Sequence, residues 1–177
     1  LDSLAAESWA AVIAHRRIPF ASFPHEWPPE MLEAAGRLIL DVAAALLDDG
    51  FGLKDATPYN VLFDGPHPVH VDVLSVERRT SGDPLWLAEA QFQRTFVLPL
   101  LACRTLGQPV HLPFLAARAG LEPESLYRAV GPLRRLSPGF FGMVTLPVWL
   151  AGSAARRQEG LYRGRRTDAE RAAFVLR

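Results

Sequence analysis

The sequence predicts an α+β domain that is mainly α, and three observations carry that reading. Glu30 to Leu47 repeats apolar residues at helical spacing. Two short β-rich runs, Asn60 to Phe63 and Pro68 to Val73, flank the turn residues Asp64, Gly65 and Pro66. Helical patterns then return from Asp83 to Val130. With 177 residues and 49% hydrophobic content, the chain has the size of one domain and enough apolar side chains for its core.

Taken in order, Ala5 to Arg17 places Trp9, Val12 and Ile13 on a short helical pattern that Pro19 ends, since proline offers no amide donor. PFASFPHEWPPE follows; each proline pushes its predecessor out of the helical region, so this stretch predicts an extended, packed connector. In the long helix Met31, Ala35, Leu38, Val42 and Leu46 form the stripe, widened by Leu32 and Ile39, and Gly50 supplies a left-handed stop after Asp48 and Asp49. Phe51 to Tyr59 is expected as a loop and the two β runs as a hairpin. Alternation in the second run puts Val69, Val71 and Val73 on one face and His70 with Asp72 on the other. Asp83 before Pro84 predicts a helix start, with the helix running to about Leu101 and kinked near Pro99. Pro113 to Ala119 and Glu122 to Val130 complete the helical set.

Composition narrows the function. Lys+Arg and Asp+Glu are equal at 19 each, so no global field draws the chain to nucleic acid or an anionic membrane. Cys103 is alone in an apolar helical run, which excludes a disulfide framework or thiolate zinc site and fits a cytoplasmic location. Leu1 to Ile13 has no signal-peptide pattern. Between Arg135 and Arg156 no charge occurs, but Pro138, Pro147 and glycines interrupt the apolar run, which predicts a buried core segment rather than a membrane span. The chain opens on Leu1 and stops at Arg177 within a helical pattern, and so reads as excised at both ends.

Chemistry concentrates in LKDATPYNVLF, where Asp55 and Asn60 stand five apart, and in VDVLSVE, where Asp72 follows twelve residues later. These strings resemble the catalytic region of protein kinases and aminoglycoside or choline phosphotransferases. The resemblance implies that Asp55 orients or deprotonates a substrate hydroxyl, while Asn60 and Asp72 hold Mg²⁺ against the phosphates of ATP. Lys54 stands where the protein-kinase loop has arginine, and Thr57 where the family has the lysine or histidine that meets the transferred phosphate. Leu53 replaces the usual histidine, and Val73 and Leu74 replace the Phe-Gly pair. Upstream there is no glycine-rich strand loop and no strand lysine, so a kinase-like C-terminal lobe is expected without its N-lobe. A plainer account of the same residues has Asp55 capping a turn, Asn60 bonding loop backbone and Asp72 paired with an arginine.

Taken with FPHEWPPEML and PLWLAEAQFQRTFVLPLL, these strings also resemble the region upstream of the methyltransferase domain in bacterial class I SAM-dependent methyltransferase proteins. That resemblance spans roughly Phe23 to Leu150. It implies residues 1–27 as an N-terminal helix and connector, 28–155 as the kinase-like lobe, and 156–177 as an Arg-rich tail leading to a downstream domain. S-adenosylmethionine would belong to that domain, because no acidic strand end followed by a glycine-rich turn occurs here. The implied role is a module that presents a small-molecule substrate or has a structural part; the alternatives are a Mg²⁺-dependent phosphotransferase acting on a small-molecule hydroxyl, and a protein-interaction domain using Phe140 to Leu150.

Other clusters have bland readings. His67 and His70 flank the hairpin turn without an acidic or thiol complement, and read as turn and surface histidines. His25, Glu26 and Trp27 suggest packing of Trp27 on the long helix. Ser75 and Glu77 lie close enough to Asp72 to extend its site. Arg134/Arg135, Arg156/Arg157 and Arg165/Arg166 read as a solvated face beside Asp and Glu.

Overall fold

A computed structural model describes residues 15–79, 86 and 88–152 of the chain. The expected helix from Ala5 lies outside these residues except for its end, where His15, Arg16 and Arg17 are not helical. The Asp83–Pro84 helix start and the 156–177 tail also lie outside them.

The connector is extended apart from a 3-10 turn at Pro24–Glu26, where Glu26 accepts from the Phe23 N–H at 2.7 Å. It leads into helix α1, Pro29–Asp48, whose first residue is a proline with a φ suited to a helix start. The buried face of α1 carries Leu32, Ala35, Gly36 and Ile39, one turn above another. Gly50, with φ of 76°, turns the chain back after Asp49. Trp27 is buried as expected, packs with that face, and donates its indole N–H to Ser22 Oγ at 3.0 Å.

Two antiparallel pairs follow, one nested inside the other. Strand β1, Phe51–Leu53, pairs with β4, Val76–Arg78, in the register Gly52 opposite Glu77; between them β2, Val61–Asp64, pairs with β3, His67–His70, with Val61 opposite His70. The inner pair is the predicted hairpin. The outer pair replaces part of the expected Phe51–Tyr59 loop, because strands of three residues are too short to display an alternation that sequence can reveal.

The alternation expected through Val73 also needs correction. The ladder ends at His70, after which only the Val71 N–H to Asn60 C=O bond, 2.9 Å, continues it. The chain then enters a 3-10 turn at Val73–Ser75, leaving Val71 and Val73 41% and 47% exposed instead of beside Val69 in an apolar layer.

Helix α2, Glu89–Phe92, runs through a π-helical segment, Gln93–Val97, into α3, Leu98–Leu106. The expected distortion near Pro99 takes this form. In the wider helix the Leu98 N–H reaches back to the Gln93 carbonyl, and Pro99 has no N–H to offer the Arg94 carbonyl next in line. That carbonyl instead accepts the Leu121 N–H at 2.9 Å, docking the following loop on the helix. Gly120 is what permits the approach: its φ is 83°, and a Cβ there would collide with the Arg94 oxygen.

Short helices complete the body: α4, Leu112–Ala116; α5, Pro123–Ala129; α6, Pro132–Arg135; and α7, Pro138–Phe140, continued by a second π-helical segment, Phe141–Thr145, and a helical stretch at 146–152. Two apolar clusters result. The first joins Trp27, the face of α1, Leu53, Ala56, Val61, Phe63, Phe92, Phe96 and Phe114, with Cys103 at its edge. The second joins Leu98, Ala102, Leu126, Val130, Phe140 and Val144. The uncharged run is thus buried on one side only. Trp149 and Leu150 are 49% and 58% exposed, so the expectation of a wholly buried core segment does not hold. Among the described residues no helix is long and apolar enough to cross a membrane.

Candidate functional site

The nested pairing carries Asp55, Asn60 and Asp72 to the same end of the small sheets. Asp55 leaves β1, Asn60 immediately precedes β2, and Asp72 follows β3. Register explains part of this: the Val71 to Asn60 bond makes these residues neighbours, so Asp72 lies one residue beyond Asn60's partner.

The loop between β1 and β2 is fixed through its backbone. The Lys54 N–H donates to the Ser75 carbonyl at 2.9 Å, extending the outer ladder past Leu53. The Leu53 carbonyl accepts the Trp86 indole N–H at 3.1 Å. The Ala56 N–H donates to Gln91 Oε1 at 2.7 Å, and the buried Thr95 hydroxyl spans the Gln91 carbonyl at 2.8 Å and the Ala56 carbonyl at 3.4 Å. Gln91 and Thr95 stand four apart and so present both anchors on one helix face. Thr57 Oγ1 accepts the Tyr59 N–H at 3.4 Å, starting the 3-10 turn Pro58–Asn60. Thr57 is therefore a turn cap in the position where the resemblance has a phosphate-contacting lysine or histidine.

The expected site residues occupy distinct environments. The Asp55 carboxylate is half-buried and has no hydrogen-bond partner among the described residues. The Asn60 carboxamide is likewise unpaired there, with its nitrogen fully buried. Asp72 is committed locally: Oδ1 accepts the Leu74 N–H at 3.0 Å, and its carbonyl accepts the Ser75 hydroxyl at 2.7 Å. The arginine partner considered for Asp72 is absent among the described residues, where the carboxylate accepts from its own turn instead. Lys54 is exposed, and Glu77 is exposed on β4.

Ser75 is fully buried, with its Oγ 3.4 Å from His70 Nε2. The His70 pKa lies below the ordinary histidine value because half-burial disfavours the imidazolium; the Asp72 charge opposes this without cancelling it. Among the described residues no group of three or more His, Cys, Asp or Glu side chains assembles as a metal cage, His67 and His70 included.

Arg134 and Arg135 correct another expectation. Arg134 donates to the Thr105 carbonyl at the end of α3. Arg135 donates to the Tyr127 carbonyl at 3.0 Å and lies 4.0 Å from that ring's centroid. They bond to carbonyls rather than standing beside carboxylates, because helix ends leave C=O groups without intrahelical donors. The other arginine pairs lie outside the described residues.

Sequence reasoning missed the loop anchors Trp86 and Gln91, and a group of rings beside the loop. Tyr59 meets Phe114 edge-on with centroids 6.4 Å apart, and Arg118 sits 4.5 Å from the Tyr59 centroid. The i, i+4 spacing of Gln91 and Thr95 is the one available signal for the anchors; nothing in the spacing ties Tyr59 to Arg118.

Comparison with known proteins gives a partial match. Nodulation protein NoeA of Rhizobium meliloti (strain 1021) is 32% identical over 153 residues, which make up 86% of this chain and 32% of that protein. The chain therefore spans about a third of the length of the curated relative it matches. No family model matches, and no solved structure matches.

Proposed function

We propose that this chain is a kinase-like lobe that holds a small-molecule substrate for a SAM-dependent methyltransferase domain of the same protein, and does not itself bind the methyl donor. The observation carrying this reading is the combination of a firmly anchored loop with altered chemistry. Backbone and side-chain bonds hold Asp55 between Leu53 and Ala56, while Thr57 is a cap and Asp72 has turned one oxygen to its own turn. A loop so held is suited to positioning a ligand, which requires rigidity more than proton transfer. The test is methyl transfer by the intact protein compared with a form lacking residues 28–152. A fall in kcat/KM is expected; equal rates would overturn the reading.

A second reading, a Mg²⁺-dependent phosphotransferase, is favoured by the Asp55 carboxylate and the Asn60 carboxamide, neither of which has a hydrogen-bond partner among the described residues. The donor chemistry fits: Asn60 and the second oxygen of Asp72 would hold Mg²⁺, a cation that takes few protein oxygens and keeps several waters. Mg²⁺ supplies charge neutralisation for nucleotide phosphates when bound. Asp55, half-buried and without a partner among the described residues, would orient the acceptor hydroxyl and take its proton. Calorimetric titration of Mg²⁺ and ATP into the intact protein and its Asp72→Ala variant decides between the readings. Binding lost in the variant favours the phosphotransferase; no binding in either removes it.

A further inference from the structure

We infer that the depression between the proline-rich connector, the loop and α4 is a binding site for a planar aromatic carboxylate. Phe23, His25, Tyr59, Phe114, Leu115 and Arg118 line it; it is shallow and widely open to solvent, with a volume of about 440 Å³. This deepens the substrate-holding reading by naming a ligand class, and the link to methyl transfer rests on that reading; the binding chemistry stands on the following observations alone.

The walls are rings in fixed mutual geometry. Tyr59 and Phe114 meet at 83° with centroids 6.4 Å apart, and Phe23 stacks on His25 at 6.0 Å and 3°. Phe23 and Leu115 are 46% and 63% exposed, so the depression presents apolar surface to solvent rather than to the core. A ligand ring inserted there gains edge and face contacts of the kind aromatic groups favour.

The charge is of one sign. The Arg118 guanidinium is held 4.5 Å from the Tyr59 ring centroid, and it has no hydrogen bond or ion pair with any described residue. The neighbouring carboxylate, Glu26, is not part of the lining and already accepts the Phe23 N–H. An arginine stacked on a ring keeps its N–H donors for a planar anion, which a carboxylate matches with two parallel bonds. His25 adds a further ring nitrogen. Tyr59 directly precedes Asn60, so a molecule seated here lies beside the anchored loop.

The test is titration of benzoate, benzamide and inorganic phosphate into the chain, followed by the ring resonances of Tyr59 and Phe114, with Arg118→Gln and Leu115→Glu as variants and circular dichroism confirming their fold. Saturable benzoate binding is expected, weaker by about tenfold or more for benzamide and for each variant, the loss set by one charge-assisted pair. Four results would each overturn the inference: no saturation by benzoate, equal affinity for benzamide, phosphate binding as tight as benzoate, or benzoate affinity unchanged in Arg118→Gln. Methyl transfer that survives loss of residues 28–152 would remove the functional reading while leaving this binding result in place, so the two failures are distinguishable.

Discussion

The two apolar clusters differ in what they support. The first surrounds Trp27 and the buried face of α1, and its members Leu53, Ala56 and Val61 belong to the loop system itself, so core packing and loop geometry are one structure. The second, built on Leu98, Leu126, Phe140 and Val144, includes no candidate site residue, and the chain that follows it carries the exposed Trp149 and Leu150. Loop rigidity therefore depends on the first cluster, while the second can vary with less effect on the site. Changes made in each region should separate along that line.

The largest effect should come from Phe96→Ala. Its ring packs against Phe92 at 4.9 Å and against Gly36, where a Cβ would meet Phe96 Cδ1 at 3.2 Å. Emptying that position should cost about 3–5 kcal/mol in urea unfolding and loosen the loop amides in hydrogen exchange. Phe140→Ala in the second cluster should leave Ala56 amide exchange much closer to the parent; equal loosening of that amide by both variants would erase the distinction.

Gly120→Ala comes next. It forces a left-handed φ on alanine and drives Cβ into the Arg94 carbonyl, for a loss of roughly 2–4 kcal/mol read from thermal unfolding. Gln91→Leu should cost about 1–3 kcal/mol, because it strands the part-buried Ala56 N–H while nearly keeping side-chain volume. Were Gln91→Leu neutral, the loop would not depend on that anchor.

A smaller effect is set by pH. The folded-state His70 pKa is below its unfolded value, so the unfolded chain binds the extra proton first. The stability associated with neutral His70 is full above the ordinary histidine pKa of about 6.5 and is lost as pH falls below it. His70→Gln should flatten the slope of unfolding free energy in that window. Smallest of all, Leu133→Ser on the exposed α6 should change stability by no more than about 0.5 kcal/mol.

Legibility from sequence follows the length of the signal. The long apolar stripe of α1 is readable from Glu30 to Leu47, and the structure adds one residue at each end. The hairpin between Asn60 and Asp72 is readable from two β-rich runs that flank turn residues. The outer strand pair is hidden by its shortness, and the exposure of Val71 and Val73 by a turn that overrides the alternation. Trp86 bonds Leu53 from 33 residues away and Gln91 bonds Ala56 from 35, while Arg118 reaches Tyr59 from farther still. Partners so far apart in the chain leave no local periodicity to read.

The π-helical segment at Gln93–Val97 has a consequence for how this chain tolerates length changes. Such a segment holds one more residue than a regular helical turn requires. Deleting a single residue within it, other than the buried Thr95 or Phe96, would turn the Leu98 to Gln93 bond into an ordinary helical one and leave Leu98 and Ala102 facing the second cluster. The same deletion in the regular turns of α3 would instead rotate everything after it by about 100°. The wider segment is thus the place where this helix absorbs a surplus residue without changing the phase between the half of the molecule that holds the loop and the half that follows it. Single-residue deletions should be far more damaging in α3 than there or at the exposed hairpin tip of Gly65 and Pro66.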